Sequence, residues 1–166
     1  IFGATGGVME AALRTVNEVL GGDHTKIDFK ELRGTSDIKE ATYMVQGQPI
    51  TVAVVHGGKA IQAFLEDMKT GHKTYHFVEF MGCTGGCING GGQPIVKPTI
   101  AEHIDVREKR AQVLYQIDKD SPLRKSHENP FVKTLYKDFL GEPNSEMSHR
   151  LLHTHYKVRQ VYDRIK

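Results

Sequence analysis

Three consecutive stretches of this 166-residue sequence predict an α/β fold, a mixed sheet with flanking helices. The first is "ITVAVV", Ile50 to Val55, an apolar β-branched run of the kind that is buried on both faces of a sheet. The second follows Gly57-Gly58 and carries Ile61, Phe64, Leu65 and Met68 on one helical face before Gly71 ends it. The third is "YHFVEFM", Tyr75 to Met81, another strand. Strand, helix, strand in that order is a βαβ unit, so the two strands should lie parallel.

The other elements follow from spacing. Val8, Ala12, Val16 and Val19 recur at helical intervals with Met9, Leu13 and Leu20 alongside, and Gly21-Gly22 closes that helix. Lys26 to Leu32 reads as a short strand. Ala41, Tyr43 and Val45 alternate at strand spacing, and Gly47-Gln48-Pro49 turns the chain into the buried run. Beyond Pro98 the texture changes. Ile104, Ala111, Leu114 and Ile117 form one stripe on a long charged helix, with Arg107 to Arg110 as its solvated face. Shorter helical segments are expected around 129–140 and 145–152. The division is therefore a lobe over residues 1–98 that carries the sheet, and a helical arm over residues 99–166.

A chain of this length forms a single domain with a core that needs no disulfide staple. A formal net charge of +2, spread along the chain, gives no electrostatic footprint for nucleic acid. No apolar run approaches the ~20 residues that span a membrane, so no membrane insertion is expected. No signal peptide opens the sequence, and a cytoplasmic location is expected, with the periplasm as the alternative. The chain starts Ile-Phe-Gly-Ala-Thr-Gly-Gly, inside a glycine turn, and reads as a piece of something longer.

Both cysteines lie in "EFMGCTGGCINGGGQP", Glu79 to Pro94, at the carboxyl end of a strand, where open α/β sheets place their sites. A disulfide between Cys83 and Cys87 would close a very small ring and remove little unfolded-state entropy. A Cys-x-x-x-Cys pair alone leaves metal ligation and two inert thiols both open. The surrounding glycines favour the metal, because backbone without Cβ atoms can approach a bulky cofactor and aim its amides at cluster sulfurs.

This loop closely resembles the third H-cluster signature of the FeFe-hydrogenases, Glu-x-Met-x-Cys-x-Gly-Gly-Cys-x-x-Gly-Gly-Gly-Gln-Pro. Glu79, Met81, Cys83, Gly85, Gly86, Cys87, Gly90, Gly91, Gly92, Gln93 and Pro94 meet its fixed positions. "FGATGGVMEAALRT" resembles the start of the second lobe of the family's catalytic domain, and "LLHTHY", Leu151 to Tyr156, resembles its C-terminal signature. The resemblance implies an H-cluster, a 4Fe–4S cubane bridged by a cysteine to a two-iron subsite with carbonyl and cyanide ligands. It implies Cys83 and Cys87 as cubane ligands, with Cys87 also the bridge. Met81 would lie beside the two-iron subsite, while Phe2, Gly3, Ala4, Gly85 and Gly86 would line the cofactor pocket. The implied reaction joins two protons and two electrons into dihydrogen, reversibly.

A cubane takes four protein thiolates, and this chain supplies two. The family's other signatures, Thr-Ser-Cys-Cys-Pro and Met-Pro-Cys-x-x-Lys, are not in the sequence. The implied partners are the remainder of the hydrogenase domain, with the other two cysteines, and iron–sulfur electron-transfer domains or subunits. Two alternatives stand beside the enzyme: a non-catalytic hydrogenase-like iron–sulfur assembly protein, and a hydrogen-sensing regulatory hydrogenase. Assembly relatives keep a similar cysteine loop but diverge in the segment matching Phe2 to Thr15, whereas this chain keeps "GGVMEAALRT" and Met81, which favours the enzyme. His149, His153 and His155 have a spacing that can hold zinc, although a structural role is the expectation. His56 and His76, near strand ends, are expected to be satisfied by hydrogen bonds.

Overall fold

A computed structural model of the chain describes residues 1–23 and 25–159. The expected α/β architecture is present. Strands β1 (Ile38–Val45), β2 (Gln48–His56) and β3 (Phe77–Met81) form a mixed sheet in the order β1-β2-β3. β1 and β2 are an antiparallel hairpin. Its turn falls at Gln46 and Gly47, one residue earlier than the glycine–proline signal indicated, and both turn residues have positive φ. That geometry matches the right-handed twist of the flanking strands. β2 and β3 are parallel, joined through helix α2 (Gly58–Lys69).

The β2 run is buried on both faces. Val52 and Val54 pack with Met9, Leu13, Phe29, Leu32 and Tyr43 on the side of helix α1 (Gly7–Val19). Ala53 and Val55 pack with Phe64 of α2, supported by Ile61, Met68 and Val78. The period-2 alternation of a strand produces both cores from one continuous apolar sequence.

Three local expectations are corrected. α1 does not bury the stripe through Val8 and Val19, both of which are exposed. It buries Met9, Glu10, Leu13, Arg14 and Asn17 instead. Charged residues can occupy that face because Arg14 binds Glu10 at 2.8 Å and grips Asp118 with two hydrogen bonds of 2.8 Å. Arg33 also binds Glu10, and Arg124 also binds Asp118. Residues 26–32 are not a strand: they end in a 3-10 turn, Lys30–Leu32, that brings Phe29 and Leu32 into the α1 core. In the long helix, Ile104 precedes the first turn and Ile117 is exposed; the buried positions are Ala111 and Asp118. That helix is α4 (Val106–Asp120), preceded by the single turn α3 (Pro98–Ala101).

Compact packing divides the chain into Ile1–Ser126 and His127–Lys166. In the second unit, helix α5 (Pro130–Leu135) is capped by the Asn129 side chain and continues as a π-helix, Tyr136–Leu140. Helix α6 (Glu146–Leu152) is capped by Ser145. Among the described residues, no helix is long and apolar enough to cross a membrane.

Candidate functional site

The register of the parallel pair ends with His56 opposite Met81. The Gly57 amide then donates to the Met81 carbonyl at 2.9 Å, and both strands stop. The cysteine loop therefore leaves the carboxyl edge of the sheet beside the turn that enters α2, where strand ends leave a crevice.

Backbone bonds stitch this loop to the first residues of the chain. The Thr5 amide donates to the Gly85 carbonyl at 3.1 Å, and the Ile88 amide donates to the Gly3 carbonyl at 3.0 Å. Between these bonds lies Gly86, with φ +94°. A Cβ there would come within 2.7 Å of the Gly3 oxygen and 2.9 Å of both the Met81 sulfur and the Thr5 nitrogen. Glycine is required by conformation and by space. The Cys83 carbonyl accepts from the Gly86 amide at 3.0 Å, and Cys87 opens a 3-10 turn, Cys87–Asn89. The result is a buried Gly85-Gly86 floor between two exposed, unpaired thiols.

The other expected pocket residues lie around this floor. Met81 is half-buried with its sulfur against Gly86. Ala4 is buried with Ile88 and Ala111 beneath the loop, whereas Phe2 is 57% exposed. Gly3 and Cys87 line a cavity of about 360 Å³ together with Ile88, Gln93, Val113 and Leu114.

Four contributors to the site were not assigned from the sequence. Glu79 accepts hydrogen bonds from the Gly6 and Met9 amides, both at 2.7 Å. Its carboxylate thus satisfies the open N-terminus of α1, which has no side-chain cap of its own. Lys39 stands in the same row of the sheet, since it pairs with Val54 and Val54 pairs with Glu79. Its buried ammonium donates to the Thr5 carbonyl at 3.2 Å and the Gly34 carbonyl at 3.1 Å. Burial pushes this amine down to about 8, opposed by the charge of Glu79. His56, two residues along the same face, accepts the Gly85 amide on Nδ1 at 3.1 Å. Burial, reinforced by the charge of Lys39, lowers its pKa. From the far side, Arg110 donates to the Ile88 carbonyl at 2.8 Å and the Pro94 carbonyl at 2.7 Å. The segment Arg107 to Arg110 is therefore not simply a solvated face, because Arg107 also lays its aliphatic stem over Gly85. Glu79 was visible as a fixed motif position and His56 as a histidine closing a buried strand. Lys39 gave no sequence signal.

The remaining histidines are placed as follows. His76 Nδ1 accepts the Thr51 amide at 3.0 Å. His149 and His153 have ring centroids 4.5 Å apart, but α6 ends at Leu152, so the helical spacing does not extend to His155.

Two exposed thiols beside buried glycines are chemically suited to an iron–sulfur group, and two is half the number of thiolates that a cubane takes. The arrangement defines the class: an α/β lobe presenting a cysteine loop at its sheet edge. The model of the iron-only hydrogenase large subunit, C-terminal domain, matches residues 1–91, and that of the iron hydrogenase small subunit matches residues 104–159. The chain belongs to the FeFe-hydrogenase family. It is 48% identical over 163 residues to the NADP-reducing hydrogenase subunit HndD of Solidesulfovibrio fructosivorans, covering 96% of this chain and 27% of that protein. Among solved structures, a variant of [FeFe]-hydrogenase HydA1 from Chlamydomonas reinhardtii superposes with TM-score 0.72 at 35% identity, covering 94% of this chain and 45% of that one. The cytosolic iron–sulfur assembly component 3 of Mus musculus is also similar, 33% identical over 93% of this chain and 31% of its own length. The chain spans between about a quarter and a third of these curated relatives.

Proposed function

We propose that this chain is the C-terminal part of the catalytic domain of an FeFe-hydrogenase, contributing about half of an H-cluster site. The observation that carries the reading is the pair of exposed thiols on either side of Gly86, which packs so closely on Gly3, Thr5 and Met81 that it admits no side chain. When bound, an H-cluster supplies the redox chemistry that interconverts protons, electrons and dihydrogen. Cys83 and Cys87 would hold cubane irons, and Cys87 would share its sulfur with the two-iron subsite. Met81 would set a polarisable, apolar contact beside that subsite, and Phe2, Gly3 and Ala4 would shape its pocket. The remaining cubane cysteines would come from the rest of the domain, and electrons from iron–sulfur domains or subunits.

A second reading is an iron–sulfur assembly protein, favoured by the similarity to the mouse component. The two readings differ at Cys87. A thiolate sulfur can donate to two irons, whereas a serine hydroxyl is a poor bridge at neutral pH. The test uses this chain assembled with the rest of its protein and matured with the hydrogenase assembly machinery. The hydrogenase reading expects carbonyl and cyanide stretches in the infrared, their loss or strong displacement in Cys87→Ser, and no hydrogen turnover in that variant. Absence of those bands from the matured wild type would refute the enzyme in favour of the assembly protein. Intact bands and turnover in Cys87→Ser would refute the bridging role.

A further inference from the structure

We infer that His56 is a positioning residue for the cysteine loop, holding the Gly85 amide through Nδ1 so that Cys83 and Cys87 keep one fixed separation and orientation. The inference rests on the proposed binding of iron by these two cysteines, and goes beyond it to a residue outside the motif.

Gly85 is the midpoint of the loop, two residues from each thiol. It is buried, so water cannot stand in as acceptor for its N–H, and a buried amide needs a partner. That partner is His56 Nδ1 at 3.1 Å. The Gly85 carbonyl is held by the Thr5 amide at 3.1 Å, and the Arg107 stem covers its Cα. The peptide planes on both sides of Gly85 are thus fixed by groups outside the loop. Gly85 itself has φ +84°, in the range where glycine rotates with little steric resistance, so its own conformation does not lock it. Release of the amide would loosen the peptide between Thr84 and Gly85, on the Cys83 side of the loop, while the Thr5 and Gly3 bonds still hold the Cys87 side.

The imidazole is built to accept. Its backbone is anchored at the end of β2, where the His56 amide donates to the Asp37 carbonyl at 3.0 Å. Burial favours the neutral ring. An accepting Nδ1 requires the proton on Nε2, and among the described residues that buried Nε2 makes no hydrogen bond of normal geometry. A carboxylate oxygen of Asp37 is 3.8 Å from Nδ1, too far for a hydrogen bond. The hydrogen bond the ring accepts is the one from Gly85, while the Ser36 backbone also interacts with the imidazole.

The test uses the complete matured assembly and two variants. His56→Leu fills similar space without an acceptor. His56→Asn places a carboxamide oxygen near the position of Nδ1. Iron content, the paramagnetic resonance of the reduced cubane and the carbonyl and cyanide stretches are recorded for each, with signals normalised to bound iron. The expected result is displaced resonance and infrared positions in His56→Leu, with return toward wild type in His56→Asn. A purely structural histidine would lower the loaded fraction in His56→Leu while leaving signal positions in place, and that result overturns the inference. Equal displacement in both variants overturns it too, because the acceptor would not be what matters. If His56→Leu does not assemble, His56→Ala supplies the acceptor-free comparison instead: displaced positions in His56→Ala with return in His56→Asn support the inference, and undisplaced positions in His56→Ala, or displaced ones in His56→Asn, refute it. Wild type without carbonyl bands would sink the hydrogenase reading only, since the cubane resonance still compares the variants. Wild type without iron would sink both.

Discussion

Replacing Glu79 tests whether a residue of the cysteine motif holds the N-terminus of α1. Its carboxylate accepts the Gly6 and Met9 amides at 2.7 Å each and is 7% exposed. Hydrogen bonds to a charged group contribute about 1.5–3 kcal/mol each, and a buried amide left without an acceptor costs about 1–3 kcal/mol. A carboxylate at a partly buried helix N-terminus is worth up to ~2 kcal/mol, much of it the same interaction counted another way. Glu79→Ala should therefore destabilise the lobe by about 3–5 kcal/mol, a large share of the stability of an ordinary domain. Glu79→Gln keeps one carbonyl oxygen but turns an NH₂ toward the second amide, for a loss of about 2–3 kcal/mol. A bound cofactor spoils two-state analysis, so the comparison belongs to metal-free protein, by urea midpoint at unchanged slope. A loss below ~1 kcal/mol in Glu79→Ala would show that water or another group replaces the carboxylate, and its role as the acceptor for the α1 amides would be refuted.

Gly86→Ala should cost about 2–3 kcal/mol, from a positive φ and from contact with the Gly3 and Thr5 backbone, and should reduce bound iron; stability and iron both at wild-type levels would contradict the close packing drawn here. Met81→Leu should change stability by under ~1.5 kcal/mol while hydrogen turnover falls at normal cubane content, and wild-type turnover would return Met81 to the ordinary core. Burial works to raise the Asp118 carboxyl, but the bonds from Arg14 and Arg124 outweigh it and hold the group at about 2. Because the folded pKa lies below the unfolded one, its contribution of roughly 2 kcal/mol is present above about pH 4 and lost as pH falls toward 2. Acid unfolding of Asp118→Asn should lack that component, and an unchanged acid limb would refute the assignment.

Much of the lobe was legible because its signals are local. A β-branched run, a helical face and bounding glycines place β2, α2 and β3 without knowledge of anything distant. The loop was legible because the family motif it matches fixes many neighbouring positions at once. What could not be read was set by partners far along the chain. Glu10 and Arg14 look like a solvated pair until Arg33, Asp118 and Arg124 close around them. Phe29 and Leu32 follow a three-residue spacing that the short segment 26–32 was too brief to distinguish from a strand. Lys39 acquires its role only because the hairpin register sets it in line with Glu79.

The bond between Arg14 and Asp118 joins residues 104 apart. Closing a flexible loop of that length opposes contact by on the order of 4 kcal/mol, from the length-dependent part alone. On a chain emerging from the ribosome, α1 cannot settle its charged face until α4 has been made, and Gly3 and Thr5 cannot meet the loop before residue 88 exists. The thiols are thus synthesised well before their seat is complete. The surroundings of the cysteine loop are complete only once the segment bearing Arg110 and Asp118 has been made.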